Sequence, residues 1–326
     1  MRHAPAGQPI GWSFFSTVSI QRGRHWLQPA GSIAAVAALV LAAVATMQQH
    51  SAADGGDREA SGSAAHAATA ASEGASTFIG AYGGMPYTYP SDVVLQRPGV
   101  HDLTVKDVAW DGKPFKSPIY YGARISHWPE DAMFGGMLDF THSKAISRFE
   151  DTVEFKGTLS GASAPPQARI GEVFRHLEFS HGHNMLTLNG LYRLPRLSAR
   201  LLPYIGLGAG IAIPHTEIAL RKDPDRTYEY QYAGPVGQAL IGIEVRLPAN
   251  ISCFIEYKFT LAAYEVPLTH VDGWLAVTDL WRQMQRWLSG AAPVGGMVRT
   301  RLASHQLIAG LGVRIARPAA ATITGP

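Results

Sequence analysis

Period-two alternation is clearest between Ile251 and Ala263. There Ile251, Cys253, Ile255, Tyr257, Phe259 and Leu261 fall on one face of an extended chain, and Ser252, Glu256, Lys258 and Thr260 on the other. Comparable stretches, rich in glycine, aromatic and β-branched residues, run near Thr77–Met85, Ile119–His127, Phe134–Ile146, Asn184–Arg193, Pro203–His215, Tyr230–Arg246 and Arg301–Ile315. With Ile251–Tyr264 they make eight expected strands. The segments between them alternate between long and short, 86–118, 147–183, 216–229 and 265–300 against 128–133, 194–202 and 247–250. Long loops on one side and tight turns on the other are the habit of outer-membrane barrels. The pattern therefore predicts an all-β fold, an eight-stranded antiparallel up-and-down transmembrane β-barrel over 77–317. A soluble lipocalin-like barrel would share the strand pattern but has no reason to alternate its connections.

Extending the same two-face assignment turns Arg124, Asp139, Thr141, Thr187, Asn189, Gln238, Glu244, Glu256, Lys258, Ser304, Gln306 and Arg314 inward. Bases and acids balance in this set. Because eight strands enclose only enough room for their own side chains, an ion-paired plug is expected and not a pore. Gly206, Gly208 and Gly210 fall at alternate positions and suit the same tightly filled lumen. With no helix after them they are not a dinucleotide fingerprint.

The N-terminal part reads differently. An apolar run of about twelve residues, Ile33–Val44, follows Arg22 and Arg24 and ends on Ala43-Val44-Ala45. It is short for a membrane helix, which needs roughly 20, so an export signal within 1–50 is preferred over an inner-membrane anchor. Residues 51–76 are almost wholly Ala, Gly, Ser and Thr and are expected to be a disordered linker, and 318–326 a tail. Only 16% of the 326 residues are charged and the net charge is +3, so no field suited to nucleic acid is present. Cys253 is the single cysteine, which excludes an intramolecular disulfide. A monomer is expected.

Three segments concentrate polar and aromatic groups. In Asp102–Gly122, Trp110, Phe115, Tyr120 and Tyr121 would lie at the outer membrane interface while Lys113 and Lys116 reach phosphates. The alternative is a packed loop with an Asp111-Gly112 turn. The other two are Gly135–Lys144 and Leu177–Asn184, neighbours across one long connection. Asp139, His142, Glu178, His181 and His183 would then cluster at one height, and two histidines with a carboxylate make a divalent-metal site with positions left open for substrate or oxygen. Strict alternation sets His142 on the face opposite Asp139 and Thr141, whereas His183 shares a face with Thr187 and Asn189. Joint ligation by His142 and His183 therefore requires a bulge or a loop bend; histidines bonded within the loops are the other reading. No Walker loop, HExxH, CxxC or GxSxG is present, and Ser304 and His305, adjacent on a strand, point to opposite faces.

Taken together, Trp110-Asp111-Gly112-Lys113, Pro118–Gly122, Asp139-Phe140-Thr141-His142, Leu177-Glu178-Phe179 through Gly182-His183-Asn184, Pro203–Gly206, Ile213-Pro214-His215 and Tyr230–Pro235 resemble the lipid A oxidase family of rhizobial outer membranes. The resemblance spans roughly 77–315. It implies oxidation of the proximal glucosamine of lipid A to 2-aminogluconate, with lipopolysaccharide of the outer leaflet as substrate, molecular oxygen as co-substrate and a divalent metal ion, and no recognisable flavin or nucleotide site. On that footing His142, His183, Glu178 and Asp139 are the candidate catalytic residues, His142 and His183 the candidate metal ligands, and Trp110, Asp111, Lys113, Lys116, Tyr120 and Tyr121 the candidate substrate contacts. The chain departs from the family in running past Ile315 and in carrying His181 where an acid stands. A non-catalytic surface barrel of adhesin or envelope-stabilising type, and a lipid A deacylase, are the competing expectations.

Overall fold

The computed structural model describes residues 74–316. The expected export signal, all but the end of the 51–76 linker and the 318–326 tail lie outside the described residues. Apart from one helical turn at Ile170–Val173, the elements in chain order are β1 (Ser76–Thr88), β2 (Ser91–Arg97), β3 (His101–Val108), β4 (Trp110–Asp111), β5 (Tyr121–Trp128), β6 (Phe134–Ser147), β7 (Thr152–Leu159), β8 (Ala162–Ser163) and β9 (Gln167–Arg169). They continue as β10 (Phe174–Arg193), β11 (Leu201–Ala212), β12 (His215–Leu220), β13 (Arg226–Tyr230), β14 (Gly234–Arg246), β15 (Ile251–Pro267), a helix α1 (Ala276–Ser289) and β16 (Met297–Ala316).

Strands β1, β5, β6, β10, β11, β14, β15 and β16 pair in that order, all antiparallel, and β16 pairs back onto β1. Each expected strand lies on one member of this closed ring of eight. Following register partners from Ile79 leads through Ile125, Leu138, Leu188, Ala209, Gly237 and Leu261 to Ala303, yet Ile79 itself pairs with Val313. The ladder thus fails to meet itself at the same height, which is the stagger that tilted strands need in order to close.

The lumen is filled. Arg124 donates to both oxygens of Glu256 at 2.8 and 2.9 Å and to Asp139 at 3.1 Å, and Lys258 donates to Asp139 at 2.7 Å. Tyr82 and Tyr204 donate to Asp139 and Glu256 at 3.0 and 2.7 Å, and Gln238 donates to Asn189 at 3.0 Å. The expected plug is therefore built as an ion-paired network in which each buried charge has an opposite partner. A cavity of about 30 Å³ beside Arg124 and Glu244 leaves room only for trapped water. The glycines admit this packing, because a Cβ on Gly206 would stand 2.7 Å from the Leu191 side chain and one on Gly310 2.6 Å from the Phe254 ring.

At the end carrying the long connections, β10, β15 and β16 run on beyond the ring and meet β2, β3, β7, β12 and β13 in a lobe with its own apolar core, which includes Leu95, Leu103, Val105, Phe155, Phe174, Phe179, Leu268 and Val298. The sequence reading took these connections as loops. They hold paired strands because each apolar stretch there buries against another, as in a soluble domain. Asp225, fully buried, fastens the lobe: Arg97 donates to both its oxygens at 2.8 Å, and His101 and His270 approach it at 3.1 and 2.9 Å. Asp225→Ala strands those groups and is expected to cost about 3 kcal/mol of lobe stability. Limited proteolysis should cut within 97–101 and 222–226 while the ring fragment keeps its heat-modifiable migration; simultaneous loss of the ring would contradict a lobe that opens separately.

Candidate site on the outer wall

Between Phe179 and His183 the register of β10 against β6 shifts, and Gly182 adopts a φ of 147°, a region that disfavours any side chain. This bulge swings Ser180 and His181 out of the wall, away from the barrel axis. On the other flank of β10 the residue opposite Glu178 is Glu217 of β12, and His215, two positions earlier on the same strand, shares the face of Glu217.

The side chains converge on one oxygen. Glu217 Oε1 accepts from Ser180 Oγ at 2.9 Å and from the His181 amide at 3.0 Å, with His181 Nδ1 at 2.6 Å and His215 Nδ1 at 3.2 Å. His215 Nε2 lies 3.0 Å from the Gly273 carbonyl, which fixes the proton on that nitrogen and leaves the Nδ1 lone pair aimed at a carboxylate oxygen. Two acceptors facing each other need a positive charge between them, a proton or a metal ion. Burial pushes the Glu217 carboxyl up, but with a proton between His215 and Glu217 the hydrogen bonds of His215, His181 and Ser180 outweigh it and hold the pKa at about 2. Burial and the neighbouring Glu217 in turn raise the Tyr228 hydroxyl.

Around this trio stand His176 and Glu178, 2.9 Å apart, and an aromatic wall. Trp274 stacks on His215 with ring centroids 5.1 Å apart at 24°, and meets the His181 ring edge-on at 5.3 Å. His181, His215 and Glu217 each present a ligand atom within 4.8 Å of the others, as do His176, Glu178 and Glu217. A third such group, His101 with Asp223 and Asp225, is of another kind. His101 Nδ1 accepts the Ser160 amide at 3.0 Å, so its Nε2 carries the proton donated to Asp225 and has no lone pair to offer.

The structure brings some of the residues singled out from sequence to this wall and takes others away. Glu178 lies in the site. His142 faces the same side, stacked on Tyr121 at 4.6 Å and held by Asn184 at 2.8 Å, and lies within electrostatic reach of His181. Next to it the Lys144 ammonium donates to the Lys116 carbonyl at 2.5 Å, so that Lys113, Lys116 and Lys144 form a basic group. Asp111 pairs with Arg148 at 2.7 Å on the exposed surface near Lys113.

His183, however, pairs across the ladder with Ser143 and turns inward to the Tyr264 hydroxyl, whereas His142 pairs with Asn184. The bulge lies just before His183, so His142 and His183 occupy neighbouring rungs that face different ways, still within electrostatic reach of each other. Asp139 is enclosed by Arg124 and Lys258 in the lumen. Trp110 is not at an interface: it is buried in the lobe core against Phe179 and donates to Ser91 Oγ at 2.9 Å, because β4 pairs with the end of β6 and covers the ring. Tyr120 is likewise buried, donating to Gln306 at 2.5 Å. His215, Glu217, Tyr228 and Trp274 were not singled out as chemistry. Their one signal was the alternate spacing of His215 and Glu217 within a β-prone stretch.

No family model matches the chain, and no curated protein matches it significantly. Among solved structures, the crystal structure of Neisserial surface protein A aligns over 75% of this chain and 100% of its own, at 10% identity and a TM-score of 0.32. What the fold and site define is a β-rich protein with a closed antiparallel ring of eight strands, an apical lobe and a histidine–carboxylate cluster on the outside of its wall.

Proposed function

We propose that the chain is an outer-membrane barrel that acts on the headgroup of lipid A from the side, in an oxygen-dependent oxidation of the kind its lipid A oxidase resemblance implies. Every ring strand carries a large exposed apolar residue facing away from the axis: Ile79, Ile125, Leu138, Leu188, Leu207, Ile241, Ile255 and Leu311, up to 72% exposed. An apolar exterior around an ion-paired interior suits a hydrocarbon surround and is costly in water. Arg301, Glu265 and Arg299 stand exposed on the outward side of the strands toward the lobe and give the belt an upper limit.

The observation that carries the reading is the His181–His215–Glu217 trio on that same outward side, between the basic group of Lys113, Lys116 and Lys144 and the Trp274 wall. Two imidazoles and one carboxylate with open positions are a donor set for a redox-active divalent ion. When bound, such an ion supplies a Lewis-acid and electron-accepting centre. The chain's own groups do the rest: the lysines hold lipid phosphate, Trp274 and Tyr121 flank the sugar, and Glu178, oriented by His176, takes the proton of the C1 hydroxyl. Overall, C1 loses one hydrogen and its hydroxyl another, both electrons passing to dioxygen to give hydrogen peroxide. Water then opens the lactone to the aminogluconate.

Mass spectrometry of lipid A from cells with and without the gene tests this. A net gain of one oxygen on the proximal sugar is expected; loss of an acyl chain would point to a deacylase, and an unchanged spectrum to a surface barrel without catalysis.

A further inference from the structure

The helix α1 is amphipathic the wrong way round for a protein in water. Its polar side is the buried one. Asp279 accepts the Tyr230 amide at 3.1 Å, Gln283 both accepts the Tyr232 amide at 2.7 Å and donates to the Tyr232 carbonyl at 3.0 Å, and Arg286 donates to Glu229 at 2.9 Å. Asp279 and Gln283 are 0% and 2% exposed. The opposite stripe, Val277, Trp281, Met284 and Leu288, points away from the protein at 83%, 57%, 36% and 80% exposure, and Trp274, Leu275 and Trp287 widen it.

A soluble helix would bury that stripe. Here the chain has spent two carboxamide bonds, a carboxylate and an arginine on holding it outward. The anchor fixes its height as well. Tyr232 stands just before Gly234, the first residue of β14 and the register partner of Ala212 at the top of β11. Immediately below, Ile211, Pro235 and Leu261 are exposed on the outside of the ring, so the stripe continues the apolar belt. Arg282, beside the stripe, keeps its guanidinium partly exposed at the level where lipid phosphates would lie.

We propose that α1 lies flat in the outer leaflet, its tryptophan and leucine stripe inserted among acyl chains at the headgroup boundary, and that it thereby holds Trp274, and with it His215, at the depth of the lipid sugar. The occupant is lipid and not a second copy, because the stripe stands directly above the apolar belt at Ile211, Pro235 and Leu261, at the height where the exposed Glu265 and Arg299 end it. An interfacial helix of this kind binds by buried apolar area with flanking cations on phosphate. The inference rests on the membrane reading above and not on the catalytic one.

The test uses the full chain refolded into phosphatidylcholine vesicles whose acyl chains are brominated near the headgroup, with tryptophan emission as the readout. Emission attributable to Trp281 and Trp287, obtained by difference from the Trp281→Phe/Trp287→Phe variant, should be quenched by brominated lipid and spared by aqueous iodide. Leu207→Trp in the background of that double variant reports on the belt separately. Quenching of the belt probe together with iodide quenching of Trp281 and Trp287 would overturn the proposal while leaving the barrel in the membrane. Failure of both probes to see bromine would overturn the membrane reading itself. Shielding of Trp281 and Trp287 from both quenchers, with a cross-linked dimer, would assign the stripe to a protein partner and equally overturn it.

Discussion

Glu217→Gln is expected to remove the proposed divalent-ion binding and the proposed lipid A oxidation together, while the barrel keeps its heat-modifiable migration. Glu217 lies on β12, outside the ring, and its backbone pairing with β10 is untouched by the change. Its Oε1 is the point on which His181, His215 and Ser180 converge, and an amide there can no longer supply the negative charge that faces the two imidazoles. Loss of a residue that only orients a ligand costs about 10–100-fold in metal affinity or activity; loss of the ligand itself should exceed that. Glu178→Gln, by contrast, should slow turnover and leave ion binding in place, since Glu178 is bonded to His176 and not to the trio's shared oxygen. His183→Ala should leave ion binding intact, because the His183 ring faces Tyr264 on the inner side of the wall. Calorimetric titration with manganese, alongside lipid A mass spectra, reads all three variants. Unimpaired binding by Glu217→Gln would remove the trio from the account.

Asp139→Ala is expected to be the most destabilising single change in the ring. Asp139 is 0% exposed and takes hydrogen bonds from Arg124, Lys258 and Tyr82, so its removal leaves Lys258 buried with no carboxylate and Arg124 with Glu256 alone. Breaking a buried pair in this way costs about 3–5 kcal/mol, more than replacing the whole network with apolar side chains would. The temperature at which the folded band converts to the unfolded one on gels should fall markedly. Oxidation per folded molecule should stay near the parent level, because nothing of Asp139 reaches the outer wall. If activity collapsed while thermal stability held, Asp139 would belong to the chemistry and the lumen would be more than a plug.

The contrast between these two residues shows what could be read from the sequence. Asp139 and Lys258 were placed correctly because a strand in a barrel has two unlike surroundings, and alternation such as Ile255-Glu256-Tyr257-Lys258 records both. Several of the ring strands carry that signature. The lobe strand β12 does not, His215–Leu220 being buried at every position. A run buried throughout has no period to detect. Joining His142 to His183 requires a bulge or loop bend somewhere in this region, and the bulge that occurs, at Gly182, delivers His181 to Glu217. That partnership depends on β12, which follows β11 in the chain, pairing back alongside β10, and spacing alone cannot report it. The helix α1 escaped notice for a related reason: within the connection 265–300 its pattern is that of any amphipathic helix, and only the fold reveals which side is turned out.

The proposed divalent-ion site on the outer wall is tested most directly by anomalous diffraction from crystals grown with manganese. A peak is predicted about 2.0–2.3 Å from ligand atoms of His181, His215 and Glu217, near Trp274 and open to the side. A peak at Asp225, or manganese bound in the lumen with none at Glu217, would contradict it.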